Sequence, residues 1–273
     1  MLTFDPEQSP PGPPNPAFTR YIGIDYSGAA TPETGLKGLR IFLAEADRPV
    51  TELRPPPGSG KYWSRRGAAE WLLASLRDPR PALIGIDHGF SFPLAYFDEH
   101  RLPLAWDAFL EDFRQHWPTD TPQVSVESIR EGRLGDGPGR GGNARWRRLT
   151  EQRCRAKSVF HFDVPGSVAK STHAGLPWLL YLRRQLGSRL HCWPFDGWEP
   201  PRGRSMMAEA YPALWKAGFP MEDRTPDQHD AYVIAAWLRH TDQGGTLANH
   251  LKPQLSVTEA ELARIEGWIL GVA

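Results

Sequence analysis

The sequence predicts an α/β protein built on a mixed sheet, with a helical and loop insertion partway along the chain. Three observations predict it. Apolar segments at 21–26, 39–44 and 50–53 follow one another with turn-forming residues between them, as in an antiparallel meander. A helical stretch then leads to the apolar run 82–86, as a crossover to a further strand does. Residues 88–160 fit neither pattern and read as an insertion.

Residues 1–18 carry Pro6, Pro10, Pro11, Pro13, Pro14 and Pro16. Such a segment cannot donate a hydrogen-bond ladder and reads as an extended tail. Residues 19–273 form one domain on this reading. The strand at 21–26 is followed by Ser27-Gly28-Ala29-Ala30 and Thr31-Pro32-Glu33-Thr34-Gly35, which are turn or loop sequences. After the strands at 39–44 and 50–53, Pro55-Pro56-Pro57-Gly58-Ser59-Gly60 breaks the meander. Ala69, Leu72, Leu73 and Leu76 share one stripe, which predicts a helix over 66–76 and a strand after it at 83–87.

Within the insertion, Trp106, Phe109, Leu110 and Phe113 have helical spacing, and 132–142 is a flexible Gly- and Arg-rich stretch. Residues 159–164 read as a short strand. Gly166-Ser167-Val168-Ala169-Lys170 leads into a helix with Leu176, Leu179, Leu180 and Leu182 on its apolar side. Arg183 and Arg184 close it, as suits a helix C-terminus. Strands follow at 190–193 and around Glu209. A further helix takes Pro226 in its first turn, and the last starts at Ser256 with Glu259 three residues on, a capping box. No internal repeat is evident.

Composition excludes several classes. The 273 residues are 40% apolar and carry no formal net charge, so bulk charge does not draw this chain to nucleic acid; a local patch would have to. Two cysteines, Cys154 and Cys192, make neither a disulfide framework nor a metal finger, and a reducing, cytoplasmic setting is the natural expectation. No run approaches the roughly 18 apolar residues of a membrane span, and no signal peptide is seen. The 11 tryptophans predict a well-packed interior, with base stacking as the alternative use.

Four carboxylates carry the chemistry. Asp25 ends the run Tyr21-Ile22-Gly23-Ile24, and Asp87 ends Ala82-Leu83-Ile84-Gly85-Ile86. Glu209 lies in Met207-Ala208-Glu209-Ala210-Tyr211-Pro212. Asp230 shares a helical stripe with Asp227, Ala231, Ile234 and Leu238, so it turns inward with the apolar members. Ionised carboxylates are rarely buried unless paired or bound to metal. Taken singly, Asp25 and Asp87 also read as turn formers, Asp227 as a helix cap and Glu209 as an edge residue. Together they are the donor set of a Mg²⁺ or Mn²⁺ site for phosphodiester hydrolysis. His229 flanks the inward stripe and reads as exposed, with proton transfer as its alternative role. Residues 128–157 hold nine basic residues against three acidic ones, either a solvated run or a phosphate-binding lid that includes Arg145, Arg147 and Arg148. Lys170 and the helix start at Gly166-Ser167 could hold a phosphate. The segment lacks a Gly-Lys-Ser/Thr order, which disfavours an NTPase.

Four motifs carry a family resemblance: Gly23-Ile24-Asp25-Tyr26-Ser27-Gly28, Ile84-Gly85-Ile86-Asp87 with Phe92-Pro93, Glu209-Ala210-Tyr211-Pro212, and Asp227-Gln228-His229-Asp230-Ala231. In this order they resemble the DUF429 family, described as predicted nucleases of the ribonuclease H-like superfamily, over about residues 20–240. The resemblance implies a mixed sheet of five strands or slightly more, with helices on both faces. It implies two-metal hydrolysis, with Asp25, Asp87, Asp227 and Asp230 as metal ligands. Asp25, Asp87, Glu209 and Asp230 are then the catalytic set; Ser27, Lys170, Arg145, Arg147 and Arg148 are expected to contact the substrate on the reading of the residues themselves, since the insertion at 88–160 has no counterpart in the superfamily. The resemblance implies nucleic acid as the partner, no membrane, and a homodimer for members that cut symmetric junctions. Two other readings share the fold: an actin-like phosphotransferase, and a nucleic-acid-binding protein without activity.

Overall fold

An Ile-Gly-Ile-Asp tetrapeptide occurs twice, at Ile22–Asp25 and Ile84–Asp87, and the fold sets the two copies side by side. The computed structural model describes residues 16–273. β1 (Arg20–Asp25), β2 (Arg40–Glu45) and β3 (Thr51–Leu53) form the antiparallel meander. β4 (Ala82–Asp87) lies parallel to β1, with Gly23 opposite Gly85 and Asp25 opposite Asp87. β6 (Ser205–Glu209) pairs parallel to β4, and the short β5 (Leu190–Cys192) pairs parallel to β6 at the edge. The order is therefore β3-β2-β1-β4-β6-β5, a six-stranded mixed sheet.

Strand alternation divides the core in two. Ile22, Ile24, Ile84, Ile86 and Met207 face one layer, built largely by α1 (Arg65–Leu76) and α6 (Ala169–Leu186). Tyr21, Leu83, Met206 and Ala208 face the other, built by α7 (Pro226–Gln243) with the C-terminal segment around Trp268. The expected helices on both faces are present. Trp63, Trp106, Trp117, Trp193 and Trp268 are all buried, the packing use of tryptophan.

α7 lies unusually close to the sheet, and the two strand glycines are the reason. A Cβ on Gly23 would fall 2.2 Å from the Ala231 carbonyl oxygen, and one on Gly85 2.5 Å from Ile234 Cγ2. The helix begins at a capping box: the Thr225 side chain accepts from the Gln228 N–H, and the Gln228 side chain answers at the Thr225 N–H.

The insertion folds into α2 (Leu94–His100), α3 (Trp106–His116), α4 (Val126–Arg130) and α5 (Leu149–Cys154). α8 (Leu247–Leu251) and α9 (Val257–Glu266) complete the chain, the latter capped by Ser256 as its sequence predicts. No strand forms at 159–164. There the Phe160 N–H bonds the Ser158 hydroxyl and the Ser158 N–H bonds His161 Nδ1, so local side chains take the backbone groups a ladder would need. Phe160 packs instead into an aromatic cluster with Phe92, Tyr96 and His173.

Most of the proline-rich tail lies outside the described residues. Its last residues belong to the core. The Ala17 and Phe18 N–H groups donate to the Asp242 carboxylate at 3.1 and 2.9 Å, Tyr21 Oη donates to it at 2.8 Å, and Phe18 is buried. Among the described residues no helix is long and apolar enough to cross a membrane.

Candidate functional site

Asp25 and Asp87 share a face as well as a register. Each stands two residues after a glycine that receives α7, so both carboxylates leave the sheet on the α7 side, at the same end of adjacent parallel strands. The first turns of α7 bring Asp230, and then Asp227, toward the same end. Burial drives the Asp25 carboxyl well above the usual carboxylate range, and the charges of Asp87, Asp230 and Asp227 add to it. Burial, with Asp230 and Glu209, raises Asp87 to about 8. Like charges at close range disfavour each other's ionisation. Among the described residues one cation opposes them: Lys216, whose Nζ lies 2.6 Å from Asp230 Oδ1 and which lowers both Asp25 and Asp87.

The next residues fix these strand ends from the other face. Tyr26 and His88, which follow the two acids, meet edge to face at 4.7 Å. His88 is buried, its Nδ1 meets the Gly89 carbonyl oxygen at 2.9 Å, and its ring occupies the space a side chain at Gly175 would need. Burial lowers it to about 4, so it is a neutral ring at physiological pH. Arg65, fully buried, donates to the carbonyls of Ser27, Ala29 and Ala30 and so holds the loop after Asp25.

Glu209 is placed differently from the two strand aspartates. Arg148 grips it through two parallel hydrogen bonds of 2.6 Å, and the Phe90 N–H donates to it at 3.1 Å. The same guanidinium holds Glu151 at 3.0 Å, and all three side chains are buried. The carboxylate oxygens of Glu209 are thus committed to an internal ion pair that ties α5 to β6. Arg148 offers nothing to a substrate. Its grouping with Arg145 and Arg147 as a surface lid is corrected by this burial.

The other expected contacts are dispersed. Arg147 donates to the carbonyls of Glu151 and Ala156. Arg145 is exposed, and its N–H donates to the Asn143 side chain at 2.9 Å. Lys170 pairs with Glu127 at 2.5 Å, while its backbone packs against Gly28. Ser27 stays beside the site: a Cβ on Gly38 would lie 3.7 Å from both Ser27 Cβ and the Asp227 carboxylate. His229 is buried, not exposed as its position on the helix suggested, and its Nδ1 has no partner. Burial lowers its pKa, since desolvation disfavours the charged ring. Nothing in Leu214-Trp215-Lys216 marks Lys216 in the sequence; only the return of that turn to α7 gives it a role.

Among the described residues no group of three His, Cys, Asp or Glu side chains is arranged to hold a metal ion as it stands. The donor chemistry nevertheless suits a hard cation. Asp25 and Asp87 are adjacent half-buried carboxyls with no ion-pair partner among the described residues, and Asp230 pairs with Lys216. Carboxylate oxygens are the ligands that Mg²⁺ and Mn²⁺ take. Comparison with family models, with curated proteins and with solved structures gives no match for this chain.

Proposed function

We propose that the acidic end of the sheet binds a divalent cation, Mg²⁺ or Mn²⁺, and that the chain is a metal-dependent nuclease of the ribonuclease H-like kind implied by its DUF429 resemblance. One observation carries this reading: Asp25 and Asp87 are register partners whose carboxylates leave one face at one strand end, beside the start of α7. A turn former would not need a neighbour of the same charge. A cation ligand does.

In this reading Asp25 and Asp87 would hold the cation, and Asp230, now paired with Lys216, would be the third carboxylate to hold it. The bound cation supplies Lewis acidity toward water and phosphate. Lys216, once displaced from Asp230, is free to meet a phosphate oxygen as a point charge. Gly23 and Gly85 keep α7 low enough for Asp230 to reach the strand ends. Glu209 and Arg148 brace the wall beside Asp87 and stay out of the coordination. The mixed sheet, its leading meander and the acid closing β1 support the ribonuclease H-like assignment.

The test is cleavage of labelled single-stranded and branched DNA and RNA with Mn²⁺. Asp25→Asn and Asp87→Asn should each reduce cleavage by at least about 100-fold, the effect of losing a few kcal/mol of charge stabilisation. Equal cleavage by wild type and variants, or none by the wild type on any substrate, overturns the proposal.

A further inference from the structure

Five of the nine basic residues of 128–157, the most cationic stretch in the sequence, are already paired with acids of the same chain, most of them at or near the surface. Arg130 pairs with Asp163, Arg133 with Glu131, Arg140 with Asp112, Arg148 with Glu209 and Arg153 with Glu259. Unpaired positive charge gathers elsewhere. A cleft of about 280 Å³ runs between β2, β3, the segment 54–63 and the start of α7. Lys37, Arg54 and Lys61 line it, are exposed, and make no ion pair among the described residues. The one acid in its wall, Glu52, is neutralised: one oxygen takes Arg40 at 2.9 Å and the other takes Gln228 Nε2 at 2.8 Å. Tyr62 gathers the cations further, with the Arg40 guanidinium 5.2 Å and the Lys61 ammonium 5.3 Å from its ring centre.

The cleft adjoins the acids. Thr225 and Gln228, the capping pair of α7, form part of its wall, and Asp227 and Asp230 stand on that helix's first turns. Gly38, between the cleft residues Lys37 and Leu39, faces the Asp227 carboxylate and Ser27. An anionic polymer approaching Asp25 and Asp87 meets repulsion there. A positive trough alongside supplies the attraction that can hold it in place.

We infer that this cleft binds the phosphate backbone of one nucleic-acid strand and leads it to the carboxylates, an inference that rests on the phosphodiester reading above. Lys37, Arg54 and Lys61 neutralise backbone phosphates along and beside it. At about 280 Å³ the cleft has room for a stretch of one strand's backbone and is far too small to enclose a duplex. The loop Gly58-Ser59-Gly60, with both glycines at positive φ and open space around them, lets the backbone pass without a side-chain barrier.

The test is fluorescence anisotropy of a labelled 20-nucleotide single-stranded DNA in EDTA, over a series of salt concentrations. Two triple variants are compared, both at exposed positions. Lys37→Ala/Arg54→Ala/Lys61→Ala should weaken binding at least about tenfold and reduce the slope of log K against log salt by about 2, as three lost single-strand phosphate contacts require. Arg77→Ala/Arg189→Ala/Arg202→Ala removes the same charge from another cleft, near the start of β6, and should leave the slope as in wild type. An unchanged slope in the first variant, or an equal loss in both, overturns the cleft assignment while Asp25-dependent cleavage still stands. Wild type that binds no strand and shows no Asp25-dependent cleavage overturns the phosphodiester reading itself.

Discussion

Lys216 Nζ sits 2.6 Å from Asp230 Oδ1, so the carboxylate best placed to join Asp25 and Asp87 is held by a lysine. The ammonium stands where a cation's charge would be expected to act. Lys216 is half-exposed, and an ion pair of that kind contributes about 0.2–1 kcal/mol. Lys216→Gln should therefore lower the Mn²⁺ concentration at half-saturation by up to about fivefold. A titration of melting temperature against Mn²⁺ reads this. A weaker response in the variant would mean that Lys216 assists the cation.

Asp87 makes the metal-free protein sensitive to alkali. Its native value of about 8 lies above the ordinary 3.8 because burial and the neighbouring acids disfavour the charge. A carboxyl raised in this way contributes stability that is complete below about pH 4 and lost as pH rises through about 8. Urea midpoints in EDTA should fall between pH 5 and pH 8.5, and Asp87→Asn should flatten the fall. Saturating Mn²⁺ should flatten it in the wild type too, since ions that bind only the native state stabilise it. A slope unchanged by Asp87→Asn contradicts the burial of that charge.

Gly23→Ala tests whether close approach of α7 builds the site. The new methyl would meet the Ala231 carbonyl oxygen at 2.2 Å, so helix or strand must move. Overpacking of this kind costs about 1–3 kcal/mol. Denaturant unfolding should show that loss, and the Mn²⁺ response should weaken as Asp230 moves off. Stability lost with the metal response intact would separate the two.

Arg148→Met should destabilise the fold by about 3–5 kcal/mol, because Glu209 and Glu151 stay buried without a counter-charge. Adding Glu209→Gln and Glu151→Gln should recover much of that loss. In the triple variant the Mn²⁺ response should persist, since the pair braces the wall and does not ligate. Its disappearance would return Glu209 to the ligand set.

The parts of this protein that depend on neighbours in sequence can be read from the sequence. The meander, the crossover helix, the capping boxes at Thr225 and Ser256, and the acid-terminated strands all rest on local patterns. The half-buried placing of Asp25 and Asp87 follows from the apolar runs they end. What depends on distant partners cannot be read in the same way. Arg148 finds Glu209 across 61 positions, and nothing in Arg147-Arg148 distinguishes the fully buried arginine from its partly buried neighbour. The sheet order places β6 inside β5, a choice set by packing and not by the order of strands along the chain. Lys216 likewise emerges only once its turn is seen to return to Asp230, and the unpaired cations of the cleft only once Glu52 is seen to be engaged.

The most direct measurement is anomalous diffraction from crystals soaked in Mn²⁺. The account predicts a Mn²⁺ peak between the carboxylates of Asp25 and Asp87, with Asp230 turned to it and Lys216 released. Crystals that take up Mn²⁺ elsewhere, or none at all with Lys216 still on Asp230, would contradict it.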